Sequence, residues 1–219
     1  MRVAAAVLLF GPAALILLFR FVPVPVTPLM LIRAAEGYGM HHQWVGYEQI
    51  APALPHSLIA SEDNLFCQES LGFDTAALRQ QFEVLWHGGR PRGASTITMQ
   101  AARNLLLWQG RDWLRKLLEA LLTPQVAVLW PKQRILEVYL NIVEFGPGIF
   151  GVEAAAQHDF HRSAAGLSEA EAARLIAVLP APLDWSVTHP NRIVLTRQSV
   201  ILHRIPQLGP LLDCAHRGA

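Results

Sequence analysis

The stretch RDWLRKLLEALL, residues 111–122, decides the fold class of this chain. Arg111, Arg115 and Glu119 recur every four residues, which places them in one polar stripe along a helix. Apolar residues occupy the rest of the pattern at helical spacing. They are Trp113, Leu114, Leu117, Leu118, Leu121 and Leu122. We predict an amphipathic helix that stops near Pro124.

Further helices follow from the same periodicity and from residues that cap helix ends. Ser168 and Glu171 form a capping-box pattern, Asn191 precedes the last periodic segment, and Ser95 is the expected N-cap of another helix. No alternating strand pattern and no internal repeat is present, so we predict an all-α domain. The additional helices are expected over residues 75–88, 96–108, 132–145, 167–179 and 191–205.

The first residues differ from the rest, because residues 3–19 carry no charge and lie between Arg2 and Arg20. Such a run can span a bilayer, and Pro12 is tolerated in a membrane helix. A cleaved signal peptide is the alternative, although no small-residue cleavage pattern follows promptly. The flanking charges do not set an orientation. The expected division is a transmembrane anchor over 1–22, a linker and membrane-proximal segment over 23–44, and a folded domain over 45–219.

Composition excludes some classes of function. The chain has 219 residues and a net charge of +1, so it has no overall basic field for nucleic acid. Residues 146–151, GPGIFG, fit a nucleotide-binding pattern, but no strand–helix–strand unit surrounds them, and we expect no nucleotide. The histidines lack the spacing of metal ligands. A disulfide cannot be inferred between Cys67 and Cys214, and two thiols are the default expectation.

Two patterns suggest a site for phosphate. Residues 92–96, RGAST, lead a glycine loop into a helix start, where free N–H groups and the helix dipole bind anions. An ordinary N-cap after a turn explains the same residues. The stripe of Arg115 and Glu119, with Lys116 beside it, is either a cationic strip for phosphates or a solvated face with surface ion pairs.

The acid pair Glu62-Asp63 follows the apolar run Leu58-Ile59-Ala60 and precedes Phe66. A carboxylate beside apolar side chains loses part of its water, which suits general acid–base catalysis. Adjacent residues of a helix point about 100° apart, so only one of the two acids need enter a cleft. The plainer interpretation is a helix start with acids in its first turn.

Five motifs, in their order along the chain, resemble those of the monofunctional biosynthetic peptidoglycan glycosyltransferases of family 51. The same domain forms the N-terminal part of bifunctional penicillin-binding proteins. The likeness covers about residues 45–205. The matching motifs are EDNLF (62–66), RGASTITMQAARNL (92–105), GRDWLRKLLEALL (110–122), KQRILEVYLNIVEFG (132–146) and GVEAAAQHDF (151–160).

The resemblance implies an α-helical, lysozyme-like domain with a hydrophobic region that dips into the membrane. The implied activity polymerises lipid II into β-1,4-linked glycan strands, inverts the anomeric centre and releases undecaprenyl diphosphate. The expected location is the bacterial inner membrane, with the domain on the periplasmic side. Expected partners are lipid II, the growing glycan, the membrane and penicillin-binding transpeptidases, since we expect no transpeptidase domain in this chain.

By resemblance, Glu62 is the general base for the acceptor 4-hydroxyl. Glu119 assists the leaving diphosphate, directly or through a divalent cation such as Mg²⁺ or Mn²⁺. Lys132, Arg134, Glu137, Tyr139 and Asn141 match positions that support the cleft. The expected substrate-binding residues are Asp63, Phe66, Arg92, Gly93, Ser95, Thr96, Gln100, Arg103, Asn104, Arg111, Arg115 and Lys116.

The chain also departs from the family pattern. A His usually follows the Phe of the first motif, whereas Glu69 or Ser70 stands near that place here. Met99 replaces one Gln of a pair, Arg103 replaces a Lys, and Asp159 replaces an aromatic residue. The alternatives are therefore a lysozyme-like enzyme that cleaves glycan and a non-enzymatic scaffold for cell-wall synthesis.

Overall fold

The computed structural model describes residues 2–89, 95–110 and 112–218, without the side chains of residues 2–10. Over these ranges the chain is mainly α-helical, as predicted. The helices are α1 Arg2–Phe19, α2 Pro28–Ala35, α3 Ala53–Glu62, α4 Thr75–Trp86, α5 Ile97–Leu106, α6 Trp113–Leu129, α7 Lys132–Ile142, α8 Val152–Phe160, α9 Glu169–Ala177 and α10 Arg192–Leu208. The strands are β1 His41–His42, β2 Glu144–Gly146 and β3 Ile149–Phe150.

Two helix starts are confirmed by their hydrogen bonds. Asn191 Oδ1 accepts from the Val194 N–H at 3.0 Å, and Ser168 and Glu171 form the reciprocal capping box before α9. The start of α5 was predicted wrongly, because Thr96 is the N-cap and its Oγ1 accepts from the Met99 N–H at 3.1 Å. Ser95 instead accepts a hydrogen bond from Lys116, so its hydroxyl faces away from the helix end.

The predicted stop of α6 at Pro124 is also wrong, since the helix continues to Leu129. Proline removes one hydrogen bond inside a helix, and tertiary packing can offset that loss. Leu122 and Val126 flank the proline and are buried in the core. Helix α6 packs against α5, α7 and the end of α1, so these contacts hold its second half in place.

The three strands were missed by the sequence analysis because each has only two or three residues, too few to show alternation. Strand β3 pairs parallel to β1 and antiparallel to β2, so the Gly-rich residues 146–151 form a hairpin. Gly151 has φ +82°, and a side chain there would meet the Asn141 carbonyl. Only glycine fits this close approach of two backbones.

The core lies between α3, α5, α7, α9 and α10. Helix α7 is nearly surrounded, and Ile135, Leu136, Val138 and Tyr139 are each at most 1% exposed. Helix α3 packs on α9 and α10, while α5 packs on α6 and α7. This arrangement brings the C-terminal end of α3 beside both α5 and α10.

The end of α1 is fixed to the domain by side chains that bind its last carbonyls. Trp130 Nε1 donates to the Ile16 carbonyl at 2.7 Å, and Arg134 Nε donates to the Phe19 carbonyl at 3.0 Å. The bond from Arg134 supplies a partner to a carbonyl in the last turn of the helix, whereas the Ile16 carbonyl also accepts from the Arg20 N–H at 3.1 Å. Over the part of the chain that the structure describes, no helix combines the length and apolar character needed to cross a bilayer.

Cys67 and Cys214 form a disulfide, which corrects the expectation of two thiols. The sequence could not show this pairing, because the two residues are 147 positions apart and meet only when the C-terminal segment packs against residues 66–68. The bond therefore ties the end of the chain to the segment that follows Glu62.

Replacement of both cysteines by serine should lower the stability of the domain. Closing a loop of this length restricts the unfolded chain by about 5 kcal/mol in the chain-entropy model. We expect a clearly lower Tm for the C67S/C214S variant and an equal drop when reductant is added to the wild-type chain. If the variant and the wild-type chain have the same Tm under non-reducing conditions, the disulfide contributes nothing to stability.

Candidate active site

An open cleft of about 870 Å³ lies at the ends of α3 and α6 and along α5 and α7. Polar side chains supply much of its wall, and the turn at residues 179–184 closes one side. Residues that bear on its chemistry are Arg33, Glu62, Ser95, Gln100, Arg103, Asn104, Arg115, Tyr139 and Glu144.

Glu62 and Asp63 divide their roles, as the sequence analysis proposed for adjacent acids. Glu62 is the last residue of α3 and lines the cleft. Asp63 turns away and is buried, and its Oδ2 accepts from the Ile97 N–H at 2.9 Å. The pair therefore ends one helix, rather than starting one, and Asp63 connects that end to the first turn of α5.

The Glu62 carboxylate is held through both oxygens. Oε2 accepts from Gln100 Nε2 at 3.2 Å, while Oε1 accepts from the Ser61 hydroxyl at 2.8 Å and from Arg197 Nη2 at 3.2 Å. Tyr139 donates its hydroxyl proton to Gln100 Oε1 at 2.9 Å, which turns the amide N–H₂ toward Glu62. Burial, and then the charge of Glu62, raise the pKa of Tyr139, so this hydroxyl stays a donor.

Helix α6 has its amphipathic faces reversed relative to an ordinary surface helix. Its polar stripe is inside, with Arg115 only 7% exposed and Glu119 fully buried. The apolar face is outside, and Trp113 is 77% exposed. The interpretation of the stripe as surface ion pairs is therefore wrong.

Glu119 is paired with two cations. Its Oε2 lies 2.7 Å from Arg115 Nη1 and its Oε1 lies 2.5 Å from Lys116 Nζ. Lys116 also donates to the Ser95 hydroxyl at 3.0 Å, across to the start of α5. Arg103 and Arg115 line the cleft, so positive charges held on α5 and α6 face it. The described carboxylates that line the same cleft are Glu62, Glu144 and Asp184.

A divalent cation near Glu119 finds little support in the side chains around it. Mg²⁺ and Mn²⁺ prefer several oxygen ligands. Both Glu119 oxygens face cations, and no cluster of three or more metal-ligating side chains occurs among the described residues. These residues do not form a metal site by themselves, and the divalent cation stays a prediction.

The predicted binding residues fall into three groups. Ser95, Gln100, Arg103, Asn104 and Arg115 line the cleft, and Lys116 is tied to Ser95 at its edge. Arg92, Gly93 and Arg111 lie outside the described residues. Three others are buried and are not among the residues that line the cleft, so their assignment as substrate contacts stays a prediction. They are Asp63, which binds the start of α5; Phe66, under the Lys132 ammonium; and Thr96, which caps α5.

Two arginines, one in the cleft wall and one beside it, were missed by the sequence analysis. Arg33 of α2 lines the cleft and pairs with Glu144 at 2.9 Å. The sequence analysis placed it in the linker and membrane-proximal segment, residues 23–44, and gave it no role in the site. Arg197 reaches Glu62 from α10. These residues are far from the motifs in sequence, and no local pattern distinguishes them from surface charges.

The cleft combines a carboxylate with an array of cations. An oriented carboxylate can take a proton from an attacking hydroxyl. Fixed cations can stabilise the charge of a departing phosphate or diphosphate. The arrangement therefore suits displacement of a phosphorylated leaving group by an alcohol.

Comparison with known proteins agrees with this chemistry. The transglycosylase family model matches residues 30–206. A biosynthetic peptidoglycan transglycosylase of Caulobacter vibrioides is 50% identical over 195 residues, which cover 89% of this chain and 85% of that protein. Proteins with the same name from Bdellovibrio bacteriovorus and Xanthomonas axonopodis pv. citri are each 45% identical, over 95% and 94% of this chain and 86% and 87% of their own lengths.

Beneath the site, Glu69 is a buried acid that shortly follows the first motif. The Glu69 carboxyl shares a hydrogen bond with the Asp63 carboxyl, and no other described residue donates to its oxygens. Burial, together with the neighbouring Asp63, raises the pKa of Glu69 to about 8. Burial also raises the pKa of Asp63, while Lys132 acts in the opposite direction on both acids and Asp74 adds a further negative charge.

Stability should therefore fall as the pH rises from about 4.5 to about 8. The pKa of Glu69 is higher in the folded chain than its ordinary 4.5, so folding retains a proton that the unfolded chain loses. One proton changes the free energy of unfolding by about 1.4 kcal/mol per pH unit at most. Thermal melts at pH 5 to 9 should show this slope, and the E69Q variant should flatten it. Equal slopes in both chains would contradict the assignment.

Proposed function

The chain belongs to the transglycosylase family, and we propose that it polymerises lipid II into β-1,4-linked glycan strands with release of undecaprenyl diphosphate. The observation that carries this proposal is the cleft itself, where the Glu62 carboxylate and the cations of α5 and α6 face the same space. The names of the similar proteins support the reaction and its product.

Glu62 is the general base in this proposal. The 4-hydroxyl oxygen of the acceptor lipid II attacks C1 of the growing chain, while its proton passes to the Glu62 carboxylate. Attack from the face opposite the leaving group inverts the α-linked donor to a β-1,4 product. A positioned base of this kind contributes about 10² to 10⁴ in rate.

Arg103, Arg115 and Lys116 assist the leaving group. The bond between C1 and the diphosphate oxygen breaks as the new bond forms, and negative charge grows on the diphosphate. Glu119 has both oxygens in ion pairs, so its role here is to hold Arg115 and Lys116 in position. Asn104 and Gln100, on the same wall, are available for sugar and phosphate oxygens.

A glycan-cleaving enzyme with a lysozyme-like site fits the cleft less well. Most glycosidases use two carboxyl groups that flank the scissile bond. Glu119, the other expected catalytic acid, is fully buried and paired with Arg115 and Lys116. Glu144 lines the cleft, but it is paired with Arg33. The cations also have a clear role toward diphosphate and none toward a neutral glycosidic oxygen.

Membrane attachment, with the domain on the periplasmic side of the inner membrane, is part of the proposal. A lipid-linked substrate requires a catalyst at the bilayer surface, and the uncharged run at residues 3–19 supplies the anchor. The disulfide suits an oxidising compartment such as the periplasm. Partner transpeptidases would cross-link the product. Apolar side chains left exposed on α1, α2, α4 and α6 include Leu17, Leu18, Leu31, Phe82, Trp86, Trp113, Leu117 and Leu121.

Removal of either acid should abolish polymerisation without unfolding the chain. We expect at least about a 100-fold loss for E62Q, because glutamine keeps the shape of the side chain but cannot accept the proton. E119Q should also lose activity, because Arg115 and Lys116 lose their counter-charge. The measurement is the rate at which the detergent-solubilised chain converts labelled lipid II into polymer that lysozyme digests.

The matched control is E169Q, which alters an exposed acid in the first turn of α9 and should leave the rate unchanged. Parallel reactions with EDTA, Mg²⁺ or Mn²⁺ test the expected cation. A folded wild-type chain that makes no polymer under any of these conditions would favour the scaffold, and cleavage of finished peptidoglycan would favour the glycosidase.

A further inference from the structure

Arg197 lies in α10, outside all five motifs, yet it contacts the carboxylate assigned as the base. Its Nη2 donates to Glu62 Oε1 at 3.2 Å and to the Ser61 hydroxyl at 3.0 Å. Ser61 in turn donates to the same Glu62 oxygen at 2.8 Å. Arg197 thus holds Glu62 directly and through Ser61.

The guanidinium is itself held in place. Arg197 Nε donates to the Ala177 carbonyl at 3.1 Å, at the end of α9. Arg197 does not line the large cleft and borders a separate cavity of about 260 Å³ together with Ser61 and Arg204. It therefore approaches Glu62 from a side that differs from the substrate side.

These bonds leave the two oxygens of Glu62 in different states. A carboxylate oxygen offers about two acceptor positions. Among the described residues, Oε1 receives two hydrogen bonds, from Ser61 and Arg197, whereas Oε2 receives one, from Gln100. The open acceptor position is on Oε2, and that oxygen is the one free to take a proton.

We propose that Arg197 is a positioning residue that occupies Oε1 of Glu62 and so presents Oε2 to the acceptor hydroxyl. This inference rests on the proposed function, because it concerns the base of that reaction. The terminal torsion of a glutamate rotates broadly when nothing restrains it. Without Arg197, the open position would no longer be fixed relative to the attacking hydroxyl.

Arg204 provides a matched control on the same helix. Its Nη1 donates to the Ala60 carbonyl at 2.8 Å, so it contacts the last turn of α3 but not the Glu62 side chain. Both arginines support the end of α3, and only Arg197 touches the carboxylate. A role limited to the support of α3 would make the two arginines equivalent.

The test compares R197Q, R197K and R204Q in the lipid II polymerisation assay, with kcat and KM for lipid II determined for each and folding checked by Tm. We expect R197Q to lower kcat roughly 10- to 100-fold, as for small displacements of a catalytic group, with KM changed less than about twofold. R197K should recover several-fold of the lost kcat, since an ammonium can still donate to Oε1. R204Q should stay within about twofold of the wild-type kcat.

Three results would overturn the inference: a wild-type kcat for R197Q, a loss confined to KM, or equal losses in R197Q and R204Q. If R197Q does not fold, S61A replaces it, since this variant removes the hydroxyl bridge and leaves α10 intact. S61A should then lower kcat by about threefold or more, and an unchanged kcat would refute the inference. An inactive wild-type chain would instead refute the proposed function.

Discussion

A carboxylate at the C-terminal end of a helix lies at the negative end of the helix dipole, and this cost organises the site around Glu62. The last carbonyls of α3 also need partners, because no further turn follows. Arg204 binds the Ala60 carbonyl and Arg197 binds the Glu62 side chain, so both cations come from α10. The packing of α10 against α3 is therefore a condition for placing the acid in the cleft.

The cationic half of the site depends on a different constraint. Glu119 is fully buried, and a buried charge is costly unless it is paired. Spacings of four and three residues within α6 supply both partners, Arg115 and Lys116. Since the polar stripe faces inward, the apolar side chains of α6 must face outward. The same reversal that turns Arg115 and Glu119 inward thus leaves an apolar surface on the outside of α6.

The sequence predicts those features of the fold that depend only on residues close together in the chain. The caps at Asn191 and Ser168 and the shared face of Arg115 and Glu119 were predicted correctly, because each is defined within one turn or a few turns. Whether that face is buried or solvated depends on tertiary packing, and the sequence left it open. The end of α6 was misjudged because Pro124 is a local signal, whereas Val126 is held by tertiary packing. The disulfide and the Arg197 contact join residues more than a hundred positions apart, and no local pattern encodes such pairs.

The acids in and just after the first motif could not be assigned roles from the sequence alone. Glu62, Asp63 and Glu69 are all near apolar residues, yet only Glu62 meets the cleft. Asp63 and Glu69 lie beneath it with Lys132, whose ammonium packs on the Phe66 ring and donates to the Phe66 carbonyl. The disulfide at Cys67 fixes the same turn. The turn that follows Glu62 is therefore held from below by charge and by a covalent bond, and its partners Lys132 and Cys214 come from distant parts of the chain.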